Sequence, residues 1–193
     1  YGIKLYMLTE PNGLILKIAV YTGQMDALGG KGHAEKVVLH LMQEKLNQGH
    51  SLYMDNFYNS FQLASNLVSK KTYSTGTLRS DRKGCPQEVV KAKLKKGETK
   101  AKYKNGVMIG KWRDKRDVTY ISSEFPNDMT ETVNRRNQVK EKPLPIGEYN
   151  KYMSGIDMQD QMTSYYPLTR KTLRWYLKLG IHVLQLLLLN SFY

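Results

Sequence analysis

The period of the hydrophobic pattern switches repeatedly within the first 78 residues, and this switching restricts the chain to a mixed sheet covered by helices. Ile3-Lys4-Leu5-Tyr6-Met7 alternates as a strand does, Pro11-Asn12-Gly13 marks a turn, and Leu14 to Tyr21 is a nearly continuous apolar run. Together they predict an antiparallel hairpin. Beyond the glycines at 29, 30 and 32, Ala34, Val37, Val38, Leu41, Met42 and Leu46 fall at helical spacing, and Asn47-Gln48-Gly49 stops the pattern. Ser51 to Met54 is then a short strand ending at Asp55. Asn59 or Ser60 caps a second helix with Leu63, Ala64, Leu67 and Val68 inward, and Thr72 to Leu78 returns as a strand.

The character changes at Arg79. Residues 79–142 hold 18 Lys and Arg against 9 Asp and Glu, and so supply +9 of a net charge of +13. Such a balance favours an anionic partner, nucleic acid or an acidic membrane surface. Within this stretch Pro86 opens a short helix ending near Gly97, Asn105-Gly106 is a two-residue hairpin signal, and Asp117 to Ser123 is a strand with Val118, Tyr120 and Ile121 partly buried. The segment reads as a basic, partly β insertion, closed by a Pro-containing connection around Lys142 to Gly147. The organisation expected is therefore a first core part at 1–78, the insertion at 79–142, and C-terminal helices at 143–193. Those helices are placed at Glu148 to Tyr166 and Thr172 to Tyr193, broken at Pro167. Leu177 to Leu189, interrupted by Lys178, His182 and Gln185, falls short of the roughly 20 apolar residues a bilayer needs. It reads as a buried helix, and no membrane partner is expected.

Several chemistries are poorly served. The single cysteine, Cys85, excludes an internal disulfide framework or Cys-rich zinc site and points to a reducing compartment. His33, His40, His50 and His182 make no zinc pattern, and the glycines around Gly29 lack the lysine and hydroxyl of a phosphate loop. Two acidic positions remain. Asp55 lies at the carboxyl end of a strand, where open α/β sheets bind ligands; the alternative is a carboxylate that caps the next helix. Asp157 and Asp160, three residues apart, share one face of a helix, and a divalent cation between them would relieve their repulsion. The alternative is a solvated acidic turn favoured by the helix dipole.

Five strings, SLYMDNFYNS, TGTLRSDRKGCP, KWRDKRDV, YNKYMSGIDMQDQM and RKTLRW, occur in this order, and as a set the chain resembles the piggyBac transposase family, in particular piggyBac transposable element-derived proteins. The resemblance implies an α/β, RNase H-like mixed sheet flanked by helices. It also implies a site of three aspartates holding two divalent ions, Mg2+, that cut and rejoin double-stranded DNA at transposon ends and TTAA targets. By this match Asp55 is the second catalytic aspartate, Asp157 the third, and Asp160 a supporting acidic residue. The first falls before Tyr1, so the sequence reads as an excerpt of a longer protein and is expected to be inactive alone. Arg79 and Arg82 are implied near target DNA and, with Lys83, reach phosphates. Trp175 is implied near the active site, stacking on an unpaired base; the alternative packs it with Leu179 and His182 in the core. A Cys-rich zinc module frequent in the family is missing from these residues. A homodimer is expected because two transposon ends must be joined, and the nucleus because DNA is the substrate. A competing reading is a domesticated derivative that binds DNA or chromatin without cutting; a weaker one is a basic scaffold with structural aspartates.

Overall fold

Residues 3–23, 26–133, 137–168 and 171–193 are described by a computed structural model, in which the chain divides into two compact units. One unit comprises residues 1–42 and 153–193, the other residues 43–152.

The first unit begins with the predicted hairpin. β1 (Leu5–Thr9) pairs antiparallel with β2 (Ile15–Val20), Leu5 opposite Val20, with a register shift between Leu8 and Thr9. α1 (His33–Met42) buries Val37, Val38, Leu41 and Met42, one stripe of the predicted amphipathic pattern; it stops a turn earlier than Leu46. α5 (Gly155–Tyr165) and α6 (Trp175–Asn190) complete the unit. The carboxyl end of α6 is tied to β2 by a side chain that mimics a strand partner. The Ile15 amide donates to Asn190 Oδ1 at 2.9 Å, and Asn190 Nδ2 donates to the Ile15 carbonyl at 2.8 Å. α6 is helical as expected, but the expectation that it is buried fails. Only Gln185, Leu186 and Leu189 are buried, while Leu184, Leu187 and Leu188 stand 60, 59 and 58% exposed. A helix apolar on all sides offers more surface than one packed stripe can cover. No helix of the described residues is long and apolar enough to cross a membrane.

The second unit carries a five-stranded mixed sheet in the order β3-β4-β7-β6-β5. β3 (Ser51–Met54) runs parallel to β4 (Tyr73–Thr77), and β7 (Asp117–Ser122), β6 (Val107–Arg113) and β5 (Thr99–Lys104) continue antiparallel. Strands from the basic segment thus share a sheet with β3 and β4. Between β5 and β6, Asn105 and Gly106 both take positive φ, 50° and 74°, the handedness that lets a two-residue turn follow the twist of its strands. Alternation along β6 divides the core. Val107 and Ile109 pack with Ala64, Leu78, Cys85 and Ile121 on the side of α2 (Phe61–Ser69), and Met108 and Trp112 pack with Tyr120 and Ile146 on the side of α4 (Leu144–Tyr152). Ser60 caps α2 as predicted, its Oγ accepting from the Leu63 amide at 3.1 Å.

Three expectations change here. The helix opened by Pro86 is a single turn, α3 (Gln87–Val90), rather than one ending near Gly97. The buried Lys111 lies at its end, its Nζ donating to the Val90 and Ala92 carbonyls at 2.9 and 2.8 Å and pairing with Asp117 at 2.9 Å, so β6 anchors the chain where the helix stops. The connection expected over 142–147 is instead the end of a strand and the start of a helix. β9 (Val139–Pro143) pairs with β8 (Met129–Val133), and α4 opens at Leu144 with Pro145 in its first turn, where a missing N–H costs nothing. The helix expected from Glu148 to Tyr166 is two, α4 and α5, parted at Met153-Ser154.

Candidate functional site

Asp55 follows the last residue of β3, and the end of that strand is built to unusually tight tolerance. Met54 is paired with Gly76 on β4, and a Cβ at Gly76 would lie 1.9 Å from the Met54 carbonyl oxygen. Only glycine lets the two backbones approach so closely. Beneath the turn lies Asn59, 1% exposed, whose Nδ2 donates to the Met54 carbonyl at 2.8 Å and to the Thr77 carbonyl at 2.9 Å. Asn59, one of two candidate caps, thus clamps the ends of β3 and β4 together and leaves the capping to Ser60. Asp55 itself is exposed; its Oδ1 accepts from the Phe57 amide at 3.0 Å, a local Asx turn that fixes the carboxylate's direction.

The basic candidates are distributed around this turn. Arg82 donates through Nη2 to the Phe57 carbonyl and, at 3.4 Å, to the Asn56 carbonyl, so its guanidinium holds the turn after Asp55. Arg79 makes a two-pronged bond to Asp81, Nη2 to Oδ2 at 2.7 Å and Nε to Oδ1 at 3.1 Å. That bond holds the Asp81 carboxyl below its usual range and raises the guanidinium of Arg79 further. Lys83 is exposed. The structure therefore brings Asp55 and Arg82 to one turn, with Arg79 and Lys83 on the following segment of the same unit.

Asp157 and Asp160 lie in the other unit, on α5. The helix starts at Gly155 because nothing larger fits: a Cβ there would lie 2.4 Å from the Glu10 carbonyl oxygen and 2.5 Å from Thr9 Oγ1. Gly13, at φ +102°, makes the reciprocal approach from the hairpin turn, its Cβ position 3.6 Å from the Gly155 carbonyl oxygen. This contact sets α5 against β1 and fixes where its first turn points. Asp157 lies in that turn, where the unpaired amides of a helix start favour an anion. Asp157 and Asp160 are exposed, and neither carboxylate has a hydrogen-bond or ion-pair partner among the described residues; Gln159 between them is buried, with both amide atoms unpartnered. Trp175 opens α6 at 62% exposure, its ring edge-to-face with Tyr176, so it is not the core residue of the alternative reading. Arg170 of the RKTLRW string lies outside the described residues.

These side chains suit a hard divalent cation. Asp55 keeps one carboxylate oxygen beyond the bond to Phe57, and Asp157 and Asp160 keep both. Magnesium takes one or two protein carboxylates and fills its shell with water and phosphate oxygens. No three His, Cys, Asp or Glu side chains among the described residues gather into a ready-made metal cluster.

The class of protein this mixed sheet with its flanking helices belongs to follows from comparison with known proteins. A family profile described as Transposase IS4 matches residues 1–192, and the chain belongs to that family. It is 27% identical over 147 residues to human PiggyBac transposable element-derived protein 3, covering 71% of this chain and 25% of that one. The match to the human Chimeric ERCC6-PGBD3 protein is likewise 27% over 147 residues, 14% of the relative. The chain thus spans about a quarter or less of the curated relatives it matches. Among solved structures, the piggyBac transposase synaptic complex with hairpin DNA superposes over 100% of this chain and 40% of its own, with a TM-score of 0.85 at 25% identity. The expected fold and family resemblance are both found.

Proposed function

We propose that this chain is the central part of a piggyBac-like cut-and-paste transposase catalytic domain, with Asp55 and Asp157 as metal-holding carboxylates and Asp160 supporting them. The observation that carries the reading is the superposition of the whole chain on a transposase caught in a DNA synaptic complex. The net charge of +13 supports DNA as partner, and the exposed, unneutralised carboxylates support the metal reading. Transposases of this family work with divalent ions, and Mg2+ fits the oxygen donors present. Two such ions, when bound, activate the attacking water or 3′-hydroxyl and stabilise the leaving oxygen. The chain's own contribution is to hold each carboxylate at the end of a rigid element: Asp55 through the Asn59 clamp and its Asx turn, Asp157 through the seat of α5 on β1. A further aspartate from outside these residues completes the site in this reading, and Arg79, Arg82, Lys83 and Trp175 face DNA. Action as a homodimer in the nucleus, on transposon ends and TTAA targets, belongs to the same proposal.

A second reading has a specific motive: the relatives are named as derived from a transposable element, and a domesticated derivative binds DNA without cutting. The two separate on metal dependence. With the full-length protein and duplex DNA carrying the element's ends, strand cleavage is expected with Mg2+, lost on chelation and restored on adding Mg2+ back. Salt-sensitive binding with no cleavage under any divalent ion would support the derivative instead.

A further inference from the structure

We propose that Ser80 is a phosphorylation site and that phosphate there switches off DNA binding beside Asp55; the inference rests on the reading that Arg79, Arg82 and Lys83 face DNA. Ser80 lies three residues past the end of β4. Leu78 is still tied to the sheet, its amide donating to the Thr119 carbonyl at 2.9 Å, and the chain then turns outward. One backbone bond, from the Arg82 amide to the Arg79 carbonyl at 3.1 Å, closes over Ser80. The segment is anchored again at the buried Cys85. Ser80 is thus exposed on a short turn pinned at both ends, and its hydroxyl has no hydrogen-bond partner among the described residues.

Its neighbours form the charge pattern by which basic-directed protein kinases choose a serine: Arg79 before it, Arg82 and Lys83 two and three residues after. Ser69 is followed by comparable cations, Lys70 and Lys71, but its hydroxyl is given to the Asn66 carbonyl at 2.7 Å at the end of α2. Of the two, Ser80 offers the free hydroxyl. The transfer consumes a nucleoside triphosphate. Ser80 Oγ bonds to the γ-phosphorus as the bond from that phosphorus to the β–γ bridging oxygen breaks; the nucleoside diphosphate leaves, and the hydroxyl proton passes to the kinase's carboxylate base.

What the phosphate does follows from the charges around it. Residues 79–83 hold Arg79, Arg82 and Lys83 against Asp81, a net charge of +2. Phosphoserine carries about −1.5 to −2 at neutral pH and so cancels it. A phosphate also fits the guanidinium fork as a carboxylate does, with more charge, so Arg79, bonded twice to Asp81, gains a stronger partner on the adjacent residue. Arg82 holds the turn after Asp55 through the Asn56 and Phe57 carbonyls, and drawing it toward the phosphate releases that turn. One modification therefore takes these cations from DNA and loosens the seat of Asp55.

The test treats the folded 193-residue chain with magnesium ATP and a kinase selective for serines flanked by basic residues, and maps the product by tandem mass spectrometry. Binding to a DNA duplex is then measured by fluorescence anisotropy across salt concentrations. Phosphate is expected at Ser80. The modified chain is expected to bind at least about tenfold more weakly at low salt, with a salt slope shallower by roughly 1.8, the loss of two phosphate contacts. Ser80→Ala is expected to bind as the unmodified chain does and to lose no affinity on the same treatment. Label at Ser69 in place of Ser80, or label on a synthetic peptide of residues 75–88 but not on the folded chain, would overturn the site. Phosphate at Ser80 with affinity and salt slope unchanged would overturn the switch. If the unmodified chain fails to bind duplex DNA, the catalytic-domain reading falls and the switch with it, while the mapped phosphate still decides the site.

Discussion

Asparagine in place of Asp55 or of Asp157 is expected to abolish metal-dependent DNA cleavage by the full-length protein, by at least about 10²-fold, while folding and salt-sensitive DNA binding persist. Folding survives for reasons visible at each position. At 55 the side chain's one hydrogen bond among the described residues is acceptance from the Phe57 amide, and an asparagine keeps that acceptor oxygen. At 157 the carboxylate has no partner among the described residues, so its loss there costs its interaction with the helix start, about 0.3–1 kcal/mol. DNA binding survives because removing a negative charge from a chain of net +13 does not weaken attraction to phosphate. A catalytic carboxylate and a structural one are thus separated by activity measured beside thermal stability: a structural role would move both, a metal-holding role only the first.

Gly76→Ala is expected to leave the chain barely foldable. The added methyl would lie 1.9 Å from the Met54 carbonyl oxygen, 3.0 Å from its carbon and 2.6 Å from Asn59 Nδ2. Two of those atoms are backbone in a parallel pair, and the third belongs to the clamp that joins the ends of β3 and β4, so none can yield without parting the strands. A loss above about 4 kcal/mol is expected. At about 2–4 °C per kcal/mol for a chain of this size, Tm falls by about 8 °C or more, or the protein is recovered insoluble. Gly180→Ala is the matched control. Gly180 lies within α6 with nothing within 4 Å of a Cβ, and alanine there is expected to stabilise by about 0.5–1 kcal/mol. Calorimetry on the two variants checks both signs, and an unchanged Tm for Gly76→Ala would refute the close approach.

What the sequence made legible follows the strength of local signals. The hairpin at 5–20, the strand Ser51–Met54, the cap at Ser60 and the Asn105-Gly106 turn all rest on residues whose own chemistry dictates their conformation, and all appear in the structure. The β8–β9 hairpin was not legible because Met129-Thr-Glu-Thr-Val and Val139-Lys-Glu-Lys-Pro carry almost no apolar alternation; their pairing is held mainly by backbone bonds. The parting of α4 from α5 was hidden because its cause is a distant contact: Gly155 must meet Glu10 and Thr9. Exposure on α6 was missed because apolarity reports what a helix wants to bury, not how much surface it finds. At the candidate site the positions of Asp55 at a strand end and of Asp157 and Asp160 on one helix were readable from spacing. The supporting shell was not. Nothing in the string shows Asn59 bridging Met54 and Thr77, or Arg82 turned onto the Asn56 and Phe57 carbonyls.

The claim that Asp55 and Asp157 hold metal is tested most directly by changing the ligand rather than deleting it. In the full-length protein, Asp157→Cys replaces a hard oxygen ligand by a thiolate, which magnesium refuses and the softer transition ion manganese accepts. The same exchange at Asp55 serves as its replicate. The account predicts cleavage reduced at least about 10²-fold with Mg2+ and raised again tenfold or more with Mn2+, relative to the wild-type ratio of the two ions. Activity unchanged with Mg2+, or a loss that Mn2+ does not relieve at either position, would contradict it.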